Sequence, residues 1–370
     1  MVEWKKLGEV CAIVRGNRVT KSDLIKNGTY PVISGGVSPL GFIDKFNREA
    51  HTITIAQYGS AGYVDIQPNR FWANDVCYSL YPNEGVINLF LYYSLKNKQR
   101  EIYALRTNAV PAHLPQKDLS NLEIPIPSLS EQQRIVSILD TFTSSISNLK
   151  QQIEERRKQY EYERDLLLDL EGKEGVEMKK LGEVVSSDCS LSYGIVQPGD
   201  DVIDGVPVVR PVDLISNYVK LDGLKKTERQ ISESYKRTIL KGNEILFCVR
   251  GTTGIMGLAT NELKGCNVTR GIVPISFDDE LTKMFVYYQL KGFRLQKVID
   301  EKTNGTALKQ INIKDLRLLN LFFPPLSTQS RIVSILDTFE QSIANLEEQL
   351  AMREKQYEYY REKLLRFEEA

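Results

Sequence analysis

Apolar side chains recur by alternating threes and fours along two long stretches of the chain. Leu139, Phe142, Ile146, Leu149, Ile153, Arg156 and Tyr160 mark the first, and Leu336, Phe339, Ile343, Leu346, Leu350, Arg353 and Tyr357 the second. This spacing is the a/d seam of a coiled coil, and it predicts two helices of about 35 residues, roughly 50 Å long. Ser130 and Gln133 fit a capping box at the start of the first helix, and Gly172 and Gly175 fit its end. Both helices open on one nonapeptide, Arg-Ile-Val-Ser-Ile-Leu-Asp-Thr-Phe, at 134–142 and 331–339. An apolar stripe is unfavourable in water, so the two helices are expected to pair with each other, antiparallel. At Arg156 and Arg353 the seam carries a cation where an aliphatic would pack better. Each is expected to snorkel, or to fix register against acidic neighbours.

Ahead of each helix the pattern changes to short apolar runs punctuated by glycine. Residues 30–33, 52–56, 206–210 and 244–249 read as strands, the second and fourth running into glycine-rich turns at 57–62 and 250–254. A helical spacing over 89–106 closes the first globular part, and 285–291 repeats its beginning. The Tyr92-Tyr93 and Tyr287-Tyr288 pairs in these helices read as framework core. Four parts follow: a globular domain over 1–120, a helical spacer over 121–175, a second globular domain over 176–320, and a second spacer over 321–370. The predicted class is α+β, with two mixed α/β domains separated by two long helices that pair as an antiparallel coiled coil, giving approximate two-fold symmetry. Helices and framework repeat while the loops differ, which suits one scaffold carrying two different readers.

Composition is that of a soluble globular protein, and no apolar run approaches the length of a membrane span. The five cysteines are scattered and odd in number, as for reduced cytosolic thiols. Net charge is zero, but unevenly assembled: +4 over 1–120 and +3 over 176–320 against −4 over 121–175 and −3 over 321–370. Slightly basic globular parts thus alternate with acidic helices. No phosphate-binding loop is present, the two histidines (His51 and His113) have no counterparts in the second half, and carboxylates form no compact cluster. The sequence therefore supplies no NTPase, histidine-based catalytic or metal motif.

Trp4 with Leu7-Gly8-Glu9, the run from Asp118 through Ile-Pro-Ile-Pro to Val136, and its second version from Asp315 through Phe-Pro-Pro to Val333 carry a resemblance. Over essentially its whole length the chain resembles the specificity (S) subunit of type I restriction–modification systems. The second run departs in having Thr328 where Glu131 stands.

The resemblance implies a non-catalytic, cytoplasmic subunit whose two globular parts are target recognition domains on double-stranded DNA. Each would read half of a split site, and the helices would set the gap and dock two adenine methyltransferase subunits. Endonuclease–translocase subunits would join that complex. No cofactor is expected on this chain; S-adenosylmethionine, ATP and Mg²⁺ belong to those partners, and no membrane is involved.

Base reading needs donors and acceptors on loops facing a groove. The candidates in the first domain are Arg15, Asn17, Arg18 and Lys21, then Gln57, Tyr58 and Ser60, then Arg106 and Asn108. In the second they are Ser192, Tyr193, Arg210, Arg250, Thr252, Thr253, Asn304, Lys309 and Gln310. Partner contacts are expected on exposed helix faces around Gln132, Arg134, Gln329 and Arg331. A single-chain DNA methyltransferase or restriction enzyme is the alternative enzyme reading, but it lacks the Pro-Pro-aromatic motif for a flipped adenine. A coiled-coil scaffold that binds no nucleic acid is the third.

Overall fold

The computed structural model describes residues 2–303 and 309–367. The chain divides into two compact units, Met1–Gln151 with Glu347–Ala370, and Gln152–Leu346. Each globular part is thereby grouped with portions of both long helices, where the sequence pattern separates globular parts from spacers.

In the first unit four antiparallel strands run in the order Cys11–Arg15, Cys77–Pro82, Thr52–Ala56 and Val64–Gln67. Ile53 and Ile55 enter a core with Tyr78, Leu80, Leu91 and Leu95. Thr54, also buried, accepts a hydrogen bond from Gln67 Nε2 at 3.1 Å, so its hydroxyl does not go unsatisfied there. A smaller sheet places Tyr30–Ile33 between Phe42–Ile43 and Trp72–Ala73. Glu3–Lys6 pairs antiparallel with Glu123–Ile126, tying the early chain to the approach of the first long helix. The helix expected over 89–106 is two helices, Asn88–Asn97 and Gln99–Ala104, broken where Lys98 leaves helical geometry.

The second unit repeats this plan with one strand fewer. Ile245–Cys248, buried throughout, lies between Met256–Leu258 and Ile272–Ile275. Val206–Val209 lies between Lys225–Thr227 and Asn267–Val268, and Glu177–Lys180 pairs with Asn320–Phe323. Among the described residues the edge strand Cys11–Arg15 has no counterpart strand; near the matching place the Ser186 amide donates to Ser276 O at 2.9 Å and Ile195 makes a bridge with Thr269. Gly16, directly after that strand, and Gly194, directly before Ile195, meet the same constraint. A Cβ would lie 2.2 Å from Ala73 O in one case and 2.1 Å from Val268 O in the other.

The long helices span Leu129–Leu167 and Leu326–Leu365. The first starts earlier than its expected capping box. Ser128, not Ser130, receives the Glu131 amide on its hydroxyl at 3.4 Å, and its carbonyl receives the Gln132 amide at 2.9 Å. The turn into the helix follows directly on Pro127, which has no amide to donate.

The helices pair antiparallel. In the first unit Phe142 stacks on Tyr360 with centroids 5.3 Å apart, and Lys150 meets Glu354 at 2.9 Å, so one number rises as the other falls. In the second unit Tyr160 lies against Phe339 and donates to Glu340 at 2.9 Å. Both seam arginines sit over phenylalanine: Arg353 is 5.6 Å from the Phe142 centroid and Arg156 is 5.8 Å from that of Phe339. A guanidinium over a ring face retains apolar packing without an aliphatic chain.

The repeated nonapeptide has an inner and an outer face. Ile135, Val136 and Leu139 pack with Phe90 and Tyr93, and Ile332, Val333 and Leu336 join the core that holds Phe285 and Tyr288. Tyr93, Tyr287 and Tyr288 are buried framework residues, as their spacing predicts. Arg134, Ser137 and Thr141 face outward in one copy, and Arg331, Ser334 and Thr338 in the other. All five cysteines are free; Cys189 is half-buried and the rest are buried. Among the described residues no helix is long and apolar enough to cross a membrane.

Candidate nucleic-acid interface

In the first unit the hairpin of Thr52–Ala56 and Val64–Gln67 turns through a backbone that glycine makes possible. Gly59 and Gly62 have φ of +71° and +86°, and the Gly62 amide returns to Ala56 O at 2.7 Å. Gln99 Nε2 donates to Gly62 O at 2.6 Å and fixes the turn on the framework. Tyr58 bridges His113 through the backbone, and their rings stack at 5.3 Å. His113 Nδ1 lies 3.0 Å from Thr107 Oγ1, and Tyr78 donates its phenol to Leu114 O at 3.1 Å. Tyr58 and Ser60 are therefore brought beside the segment that carries Arg106 and Asn108.

The loop of Arg15, Asn17, Arg18 and Lys21 joins the same surface. Asn74 accepts the Val19 amide at 2.9 Å and donates to Val19 O at 3.1 Å and Ser34 Oγ at 3.3 Å. Gly35 O in turn accepts the Ser60 amide at 2.7 Å. Trp72 Nε1 donates to Asn17 O at 2.8 Å. The Arg15 guanidinium lies 5.9 Å from the Tyr78 centroid, while burial raises the Tyr78 pKa against the lowering effect of Arg15. Arg15, Asn17, Arg18 and Lys21 are exposed, as are Arg106 and Asn108.

Gln57 is a correction. It is buried, because its place is the end of the central strand rather than the turn, and its backbone bonds Val76 and Leu114. Asn74, Ser34, Gly35, Thr107 and His113, which build the surface, went unmarked in the sequence. Asn74 had no signal beyond its type, whereas Gly35 follows a strand-like run as a turn residue does.

The second unit holds the same turn with other side chains. Gly251 and Gly254 have φ of +90° and +91°, and the Gly254 amide returns to Cys248 O at 3.0 Å. Gln296 Nε2 reaches Gly254 O at 3.1 Å, as Gln99 reaches Gly62. Arg250 bridges Gln310, the Gly251 amide donates to Lys309 O at 2.9 Å, and Thr253 Oγ1 donates to the same oxygen at 3.3 Å. Arg250, Thr252, Thr253, Lys309 and Gln310 thus form one cluster. Asn304 lies outside the described residues.

Three further candidates are occupied within the fold. The Tyr193 hydroxyl accepts the Ile313 amide at 3.3 Å, and Ser192 Oγ lies 2.8 Å from Ser190 Oγ. Arg210 is held by Asp213 at 2.8 Å, and this hydrogen bond raises the guanidinium pKa further.

On the helices, Gln132 and Gln329 are buried and do not belong to an exposed partner face. Gln132 accepts the Ile87 amide at 2.9 Å and donates to Gly85 O and Pro127 O, both at 3.0 Å. Gln329 donates to Pro324 O at 2.8 Å. Both staple the proline-rich approach to the helix. Arg134 and Arg331 are exposed. Arg134 is gripped by Glu131 at 2.7 and 2.8 Å, which holds the Glu131 carboxyl below its usual range. Thr328 replaces that carboxylate beside Arg331.

Among the described residues no group of three or more His, Cys, Asp or Glu is placed to hold a metal. The site is two glycine-supported turns on matching frames, exposed at their tips and buried where they join the frame, which is the form of a recognition surface. The chain belongs to the type I restriction modification DNA specificity domain family, whose model matches residues 1–156 and 173–352. It is 29% identical to a putative type I restriction enzyme specificity subunit of Haemophilus influenzae, across 99% of this chain and 96% of that protein. A putative type I specificity subunit of Mycoplasma pneumoniae is 26% identical, across 98% and 97%. The crystal structure of a type I restriction–modification S subunit from M. genitalium shares the fold at a TM-score of 0.68 and 19% identity, covering 100% of this chain and 97% of that one. The chain is a non-catalytic specificity subunit.

Proposed function

We propose that each unit reads one half of a split double-stranded DNA site. One observation carries this reading: Tyr58-Gly-Ser-Ala-Gly62 and Arg250-Gly-Thr-Thr-Gly254 share a backbone, a framework glutamine and a neighbouring strand-like segment, yet differ at every non-glycine position. A constant frame with exchanged donors suits two readers of different base sequences. Arg15, Asn17, Arg18, Lys21, Tyr58, Ser60, Arg106 and Asn108 serve the first half-site. Arg250, Thr252, Thr253, Lys309 and Gln310 serve the second.

The antiparallel helices set the distance between half-sites. Their outward nonapeptide faces, with Arg134 and Arg331, dock two adenine methyltransferase subunits, and endonuclease–translocase subunits complete the assembly. S-adenosylmethionine, ATP and Mg²⁺ are carried by those subunits, and the complex works in the cytoplasm. The slightly basic globular parts contribute phosphate contacts, with much of the affinity supplied by the partners.

Genome-wide adenine-methylation mapping with and without this chain tests the reading. A bipartite motif should vanish on deletion, and replacing residues 1–120 by another reader should alter one half only. Altered bases in both halves, or methyl transfer by the isolated chain, would sink it.

A further inference from the structure

Where the end of each long helix meets the helical framework of a unit, the two units hold an equivalent cleft with opposite chemistry. The cleft of the second unit, about 280 Å³, is lined by Asp165, Asp169 and Arg294 among apolar groups. That of the first unit, about 720 Å³, is lined by Trp4, Lys96, Lys98, Arg100, Arg361 and Arg366. Only Glu101 and Glu362 oppose these five cations, and Glu101 is already engaged by Lys98 at 2.8 Å.

The contrast is sharpest at one pair of equivalent arginines. Arg164 lies 5.5 Å from the Tyr160 centroid, and Arg361 lies 5.4 Å from that of Tyr357. Asp165, the next residue, takes Arg164 Nε at 3.0 Å and a second nitrogen at 3.2 Å, and also caps the Phe293 amide at 3.0 Å. The residue after Arg361 is Glu362, which is exposed, and Arg361 Nε is buried without any acceptor. Trp4 Nε1, on the same cleft, is likewise buried with no acceptor. A buried donor without a partner is rare in a native fold, and two on one basic cleft leave its floor positive. Lys96 is spent within the fold, donating to Val64 O at 2.7 Å; burial holds it below its usual range, the Asp65 charge opposing and the Arg361 charge adding.

We propose that the cleft of the first unit binds a phosphate-type oxyanion, engaged by Arg361, Arg100 and Arg366 over the positive floor formed with Trp4. Planar guanidinium groups match such an oxyanion geometrically. Its volume exceeds that of a bare ion, so the phosphate arrives on a larger ligand such as a nucleotide or a nucleic-acid strand. Gln99, which holds the first recognition turn, also lines the cleft, but the cationic groups named here are other residues and the proposal does not depend on the assignment of the turns.

Calorimetric titration of the full chain with inorganic phosphate at low ionic strength tests this. Arg361→Gln, and separately the pair Arg100→Gln with Arg366→Gln, should weaken binding about tenfold or more. Glu362→Asp supplies the carboxylate that satisfies Arg164 in the other unit, so it should reduce phosphate binding with no loss of thermal stability. Arg294→Gln, in the other cleft, should leave binding unchanged. Competition by a short duplex assigns the phosphate to nucleic acid, and its failure assigns it to a free phosphorylated ligand. Either result keeps the oxyanion site. No heat with phosphate, equal competition by acetate, or unaltered binding in both the Arg361 variant and the paired variant overturns it.

Discussion

The Tyr288 phenol donates to the Asp337 carboxylate at 2.5 Å, joining a framework helix of the second unit to the repeated nonapeptide. In the first unit Tyr93 instead lies 3.3 Å from Thr143 Oγ1, a weaker neutral contact. The repeat is thus fastened differently in its two copies, though its sequence is the same.

Tyr288→Phe should cost about 1.5–3 kcal/mol, the usual net worth of a bond to a charged group, while Asp337→Asn keeps an acceptor and should cost less. Burial pushes the Asp337 carboxyl above its usual range, with Glu340 and Glu280 adding and the Tyr288 hydrogen bond opposing. A carboxyl whose folded pKa is raised gives stability that is fully present below the unfolded pKa and lost as pH rises through the folded one. The stability of the parent relative to Asp337→Asn should therefore decline from about pH 4 upward. Chemical denaturation across that window reads the difference; an advantage that grows with pH contradicts the assignment.

Gln132 and Gln329 occupy the same place but are not equally employed. Gln132 makes three hydrogen bonds, whereas Gln329 Oε1 is buried without a partner. Gln132→Ala should destabilise by about 2–4 kcal/mol and Gln329→Ala by about 1 kcal/mol. Equal losses in urea melts would show that the extra bonds carry no net stability.

Burial pushes the Cys11 and Cys77 thiols up to about 12. Thiolate is the reactive form, so neither should alkylate appreciably at pH 8 until denaturant is added. Mass spectrometry after brief iodoacetamide treatment checks this, and rapid native labelling of Cys77 would contradict it.

Replacing residues 250–254 with the sequence of 58–62 should preserve the fold, because both turns need glycine at the same two left-handed positions. It should change base preference in one half of the methylated site. An unchanged methylated motif with intact thermal stability would place the turn outside base reading.

Adding one heptad to both long helices lengthens the pair by about 10 Å, so the unspecified gap should grow by about three base pairs. Methylation mapping reads this directly; altered half-sites with an unchanged gap would remove the helices as the ruler.

The seam was legible because a period of three and four, held over many turns, has one physical solution. Every seam residue from Leu139 to Tyr160 and from Leu336 to Tyr357 is at least partly buried. The strand at 52–56 was legible for a related reason, an apolar run stopped by glycine. Polar residues gave the least. Gln57, Gln132 and Gln329 look like surface side chains by type, and only tertiary structure supplies the partners that make their burial tolerable. That Ile313 and Asp213 engage Tyr193 and Arg210 was hidden for the same cause. The recognition surface needed contacts between Asn74, Ser34 and Val19 that no local pattern encodes.

Because residues from 347 onward belong to the first unit, that unit is completed last during synthesis. The segment 152–346 is contiguous and can close as soon as it has emerged from the ribosome. The earlier one must wait for Leu364, Leu365 and Phe367 to cover the cluster of Phe90, Ile135 and Leu139. Until then a nascent chain displays an apolar patch that chaperones and proteases recognise. A premature stop late in the message would therefore cripple the globular part that was translated first, and leave the second intact.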